Sequence, residues 1–160
     1  QLGITEDADL GELVAEFQKK LGGADALHRF FRAEFSDCTP SDLQKQLLSY
    51  SWRRLYTLNV DDTLERIPRR IRAQRIRQVN RNDPEEDNHF LDDLEVIHLN
   101  GFVGNRDAGY VFTPEQYRAE MRRSSTWYSR CATDFFDKVF VFVGTSLAEP
   151  IFRAHIEELA

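Results

Sequence analysis

Cysteine is scarce in this 160-residue chain: there are two, Cys38 and Cys131, far apart and without CxxC spacing. That spacing supports neither a zinc knuckle nor a disulfide framework, and both thiols are expected to be small buried apolar side chains. No apolar stretch approaches the roughly 18 residues that a membrane helix needs. A basic, then apolar, leader is also missing, so a cytoplasmic protein without a membrane partner is the default expectation. Gln1 stands where an initiator Met would, as in an excised or processed piece of a longer polypeptide. Positive charge is outweighed: 21 Lys and Arg against 27 Asp and Glu leave a formal net charge of -6. Such a balance opposes unaided binding to a polyanion, so nucleic acid is not expected as a direct partner. His28, His89 and His155 have no metal-ligand spacing and read as surface or packing residues.

The remaining composition suits one soluble domain over residues 1–160, with 41% apolar residues and 12 Phe. Leu10, Leu13, Val14, Phe17 and Leu21 recur at helical spacing, with Asp9 as N-cap and Gly22-Gly23 as the stop. A second helix is expected over residues 24–35, burying Leu27, Phe30, Phe31 and Phe35. A third is expected from Thr39-Pro40, burying Leu43, Leu47 and Leu48. Residues 53–59 read as a strand, and Asp61-Asp62 sit where a helix would begin. Residues 68–82 are Arg-rich and hard to read. They read as a solvated face paired with the acidic loop at 83–87, or as a partner-docking or nucleic-acid surface.

Further on, residues 94–99 form an apolar run and residues 110–112 a short strand, before Thr113-Pro114 opens a helix that continues over 127–136. Residues 139–143 are almost wholly apolar, as in a parallel strand buried on both faces. A closing helix is expected over 150–159. Strands alternating with helices imply an α/β fold, a doubly wound, Rossmann-like parallel sheet with helices on both faces. The strands at 53–57, 94–99 and 139–143 are expected to be mutually parallel. Ligands then gather at their carboxyl ends.

Three strand ends supply polar residues: Thr57-Leu58-Asn59-Val60-Asp61, His98-Leu99-Asn100-Gly101 and Gly144-Thr145-Ser146-Leu147. On residue chemistry alone, Asn59 and Asp61 could form an Asx turn and helix cap, and residues 144–146 a plain loop. His98 and Asn100 are two residues apart, so on a strand they would share one face. Taken in order, and with Pro150 after the last, the three segments resemble the motifs of the sirtuin superfamily. The segment YTLNVDDTLE at residues 56–65 and FVGTSLAEPIFR at 142–153 are most similar to the sirtuin-like domains of bacterial antiviral-defence proteins.

The resemblance implies NAD as substrate or ligand, with no metal. It makes Asn59 the group that positions a water or the ribose, and Asp61 the acceptor for the nicotinamide carboxamide. Gly144, Thr145 and Ser146 would hold the adenine-side ribose, and Thr57, Gly101 and Leu147 would complete the NAD site. The family's catalytic His immediately precedes the Gly of the second motif, where this chain has Asn100. His98 is therefore the candidate general base, set against a plainly structural strand His. No Gly-rich phosphate loop follows an apolar strand near the N-terminus. The sheet is thus expected to lack its first Gly-rich strand, which the rest of a longer polypeptide would supply, and this piece to bind NAD poorly. With one Cys between the second and third motifs, the four-Cys zinc module of the deacylases is not expected.

Three functions remain in view. The leading one is hydrolysis of NAD to nicotinamide and ADP-ribose in antiviral defence. The second is a catalytically silent nucleotide-binding regulatory domain. The third is an interaction or oligomerisation module, a homo-oligomer being one form of it, within a larger defence protein, with Trp52, Trp127 and the Arg-rich stretch as its contact surface.

Overall fold

The computed structural model describes residues 10–86, 92–122, 126–145 and 150–159. Asp9, Ser146 and Leu147 lie outside the described residues. Helix α1, Leu10–Leu21, ends at Gly22 and Gly23, whose φ values of 93° and 96° suit residues without a Cβ. The turn leads straight into α2, Ala24–Phe35. Leu27 and Phe31 of α2 pack with Val14 of α1 and with Val60, Val103 and Tyr110 from beyond the helices. Phe30 and Phe35, expected in this core, stay 39% and 38% exposed. The third helix, α3, is Asp42–Leu47, starting later than the Thr39-Pro40 signal. Ser41 caps it, because its hydroxyl accepts from the Gln44 amide while the Gln44 side chain accepts from the Ser41 N–H. Leu43 is exposed rather than buried, and Leu48 just past the helix end is the anchor.

Strands β1, Arg54–Thr57, β2, Arg75–Asn80, and β3, Asp93–His98, form a parallel sheet in the order β1-β3-β2. Central β3 is almost fully buried, and its side chains alternate between two cores. Leu94 and Val96 pack with Leu48 and Ile67 on one side. Ile97, with Val79 of β2, packs on the other against Trp127, Tyr128 and Cys131 of helix α5, Thr126–Asp137. The parallel sheet between covering layers bears out the α/β, Rossmann-like reading.

Within the unreadable Arg-rich stretch lies β2. Its arginines mask a strand because they are cross-strand partners in register: Arg75 opposite Asp93 and Arg77 opposite Glu95. Arg75 binds Asp93 through both Nε and Nη2 at 2.8 Å, and Arg77 bridges Glu95 and Glu86. Arg81 turns to Glu120. Among the described residues, Arg77–Glu86 is the ion pair that fits the expected pairing with the following acidic loop.

Four other expectations are corrected. Residues 139–143 belong to no strand among the described residues, and Val139 is 96% exposed. They border a cavity whose other wall is β1, and without a neighbour's N–H and C=O groups within reach an apolar run cannot form a ladder. Residues 110–112 are also irregular: Val111 N–H donates to the Asn100 carbonyl, at 3.0 Å. Asp61 and Asp62 start no α-helix but a set of turns, in which Arg66 N–H reaches the Asp62 carbonyl. Cys38 is half-buried, whereas Cys131 is buried as expected.

Helices α4, Pro114–Arg122, and α6, Pro150–Leu159, complete the described elements. Thr113 and Gln116 exchange capping bonds at the start of α4.

Candidate functional site

Parallel pairing sets Thr57 and Asn80 opposite His98, so all three strands end along one edge. The chain leaving β1 is fixed at nearly every residue. Thr57 accepts twice, its carbonyl from Leu99 N–H at 2.9 Å and its hydroxyl from Asn59 N–H at 3.1 Å. The Val60 carbonyl accepts from Val103 N–H at 2.8 Å. Asp61 Oδ1 accepts from Thr63 N–H, an Asx turn, and the Asp62 carboxylate accepts from the N–H groups of Asp37 and Cys38. Such anchoring holds an exposed residue, Asn59, on a rigid corner.

Two adjoining cavities open along this corner. One, about 310 Å³, is bordered by Asn59, Asp61 and His98 at one end and by Arg54, Tyr56 and Asp134 further back. The other, about 380 Å³, is bordered by Thr57, Asn59, Leu99, Gly144, Thr145 and Phe152. Asn59 borders both. Their sizes suit small-molecule sites. Thus Thr57, Asn59, Asp61, His98, Gly144 and Thr145 share one recess.

Asn100 and Gly101 border neither cavity. Asn100 is 3% exposed, and its Oδ1 accepts from the Tyr128 hydroxyl of α5. His98 points instead to Glu65, on the opposite side of the sheet. The shared face expected of these two residues is lost because β3 ends at His98 and residues 99–100 turn, breaking the two-residue alternation. Gly101 has φ 107°, and a Cβ there would lie 2.3 Å from the Gly109 carbonyl oxygen. Its need for glycine is met by the packing of the following loop.

Nearly all of His98 is enclosed, at 1% exposure. Its Nδ1 lies 3.2 Å from the Asn59 carbonyl oxygen and its Nε2 2.9 Å from Glu65 Oε1, while Phe102 packs on the ring at 4.4 Å. His28, read as a surface or packing residue, is buried against the Tyr110 hydroxyl at 2.8 Å.

Sequence reasoning missed the polar cluster at the back of the recess. Arg54, in register with Glu95, binds it at 2.8 Å and Asp134 at 3.0 Å, and the Tyr56 hydroxyl donates to Asp134 at 2.8 Å. Burial pushes the Asp134 carboxyl up, but the Tyr56 and Arg54 hydrogen bonds and the Arg54 and Arg130 charges outweigh it and hold it low. Burial and Asp134 together push the Tyr56 phenol up. An ionised acceptor and a firmly protonated donor make this cluster a brace rather than an acid–base pair. Burial likewise raises the Cys131 thiol, which removes its thiolate at neutral pH. The only signal for the cluster was an Arg that opens β1 and a Glu set between Leu94 and Val96 on β3. Among the described residues no three metal-binding side chains cluster.

Residues 53–160, from the start of β1 onward, match the SIR2-like domain. The chain belongs to this family. No curated protein matches it. SIR2-like domains bind NAD, which gives the chain an NAD-related function, and the matched region holds the whole described sheet and most of the recess lining, with Gln44, Leu47 and Trp52 before it. None of the described helices is long and apolar enough to cross a membrane.

Proposed function

We propose that this SIR2-like domain hydrolyses NAD at the nicotinamide–ribose bond, giving nicotinamide and ADP-ribose, within an intracellular antiviral-defence protein. The observation that supports this reading is the placement of Asn59: exposed, on a corner fixed by backbone bonds, and bordering both cavities. Cleavage passes through an oxocarbenium-like state, so the useful groups are dipoles and anions held in advance near the ribose. Asn59 would orient the attacking water or the ribose, and Asp61 would accept from the nicotinamide carboxamide through the oxygen not used in its turn. Gly144 and Thr145, with Ser146 and Leu147 after them, would take the adenine-side ribose. A Gly-rich strand from elsewhere in a longer polypeptide would pair with the outer edge of β1 and bring backbone N–H groups to the pyrophosphate. In support, β1 has β3 on one side and, among the described residues, no strand on the other.

The test is nicotinamide release from NAD by the intact protein once its trigger is supplied. Asn59→Ala is expected to lower the rate by about 10²-fold or more through lost positioning, with unchanged thermal stability. Full activity in that variant would remove Asn59 from the mechanism.

One observation favours a second reading, a catalytically silent nucleotide-binding domain. The residue in the family's catalytic His position, Asn100, is buried and bonded to Tyr128, away from the recess. NAD binding without nicotinamide release would select this reading.

A further inference from the structure

We propose that His98 and Glu65 form a latch that fixes the Asn59 corner from behind, which makes both of them positioning residues for the NAD site. The effect on rate rests on the hydrolysis reading above; the latch itself does not.

Three features build it. His98 ends the central strand, where backbone pairing on both sides holds it rigid. Its ring spans two segments that no strand ties together, the Asn59 carbonyl through Nδ1 and the Glu65 carboxylate through Nε2. Phe102 and burial then fix the plane of the ring. Glu65 lies in the turns that follow the corner, so the two bonds close a loop from Asn59 to Glu65 around one imidazole. The Asn59 carbonyl can only accept, so Nδ1 carries the donated N–H and Nε2 is left facing Glu65 Oε1.

This bonding argues against His98 as general base. Abstracting a proton takes a free lone pair within reach of the substrate, and here both nitrogens are already engaged, Nδ1 by the Asn59 carbonyl and Nε2 by Glu65. What the ring does hold is the carbonyl of Asn59, an exposed polar residue that borders both cavities. A carbonyl so anchored restricts the peptide plane and, with the Thr57 bond on its own N–H, pins Asn59 from both sides. Loss of the latch would leave Asn59 present but misplaced, and a displacement of about 1 Å costs on the order of 10²-fold in rate.

Conservative substitutions separate a latch from a base. Asn at position 98 places an amide N–H near the site of Nδ1, and Gln at position 65 can donate to a neutral Nε2. In the intact protein, His98→Ala is expected to lower kcat by about 10²-fold and Glu65→Ala, which leaves the Nδ1 bond in place, by less than about tenfold. His98→Asn and Glu65→Gln should stay within about tenfold of the parent, with an unshifted pH–rate profile. A second measurement needs no turnover: hydrogen exchange at residues 58–62 should quicken in both Ala variants and stay slow in Glu65→Gln. Unchanged exchange in both Ala variants would overturn the latch, even in a protein that releases no nicotinamide. So would His98→Asn as inactive as His98→Ala with the acidic limb of the profile abolished, since that identifies a base.

Discussion

At the scale of the residue, the site depends on polar groups whose partners sit on other elements, and these were the hardest to foresee. Asn59 and Asp61 were legible because they fall where a strand ends in a turn. Glu65 closes the same segment, yet nothing local says that it meets a ring 33 positions away. Gly101 is a contrasting case, a residue assigned to ligand whose demand is set by packing. Its φ of 107° and the 2.3 Å approach of a would-be Cβ to the Gly109 carbonyl oxygen leave no room for a side chain. Left-handed strain and overpacking, at roughly 1–3 kcal/mol each, predict that Gly101→Ala destabilises the domain by about 3 kcal/mol. Urea unfolding measures this, and an unchanged midpoint would show that the loop at 109–110 yields easily.

Elements were legible where one period dominates. α2 has the bounds its apolar spacing gave, and the parallel pairing of β1 with β3 followed from two runs that end in polar residues. β2 was not legible, because Arg75 and Arg77 match acidic residues on β3, a relation visible only once the register is known. Residues 139–143 failed in the opposite direction: composition suits a buried strand, but burial and a ladder both require neighbours. The two accounts differ measurably at Val139. In a strand buried on both faces, Val139→Thr would cost well over 1 kcal/mol for a polar group in the core. At 96% exposure in the 160-residue chain it should cost less than about 0.5 kcal/mol. A urea midpoint lowered by more than that would restore residues 139–143 to the core.

For the whole molecule, charge placement decides how well the 160 residues hold NAD unaided. The pyrophosphate needs backbone N–H groups at a helix N-terminus or cations that are not already engaged. At the carboxyl edge of the sheet the recess presents Asp61, and behind it His98 is bonded to Glu65. Arg54 is committed to Glu95 and Asp134. The other cations bordering the recess are Arg53, just before β1, and Lys138, just past α5. Gly144 has the φ of 63° that a tight turn uses, but it is part of the segment assigned to the ribose. With a net charge of -6 the protein as a whole also repels a dianion. Calorimetry of this chain with NAD is therefore expected to show no binding in the micromolar range, whatever the affinity of a longer polypeptide with the proposed Gly-rich strand. Raising ionic strength should not weaken whatever residual binding remains, because no cation cluster supports it. A micromolar dissociation constant that weakens with salt would refute both statements and place a phosphate-binding group within these 160 residues.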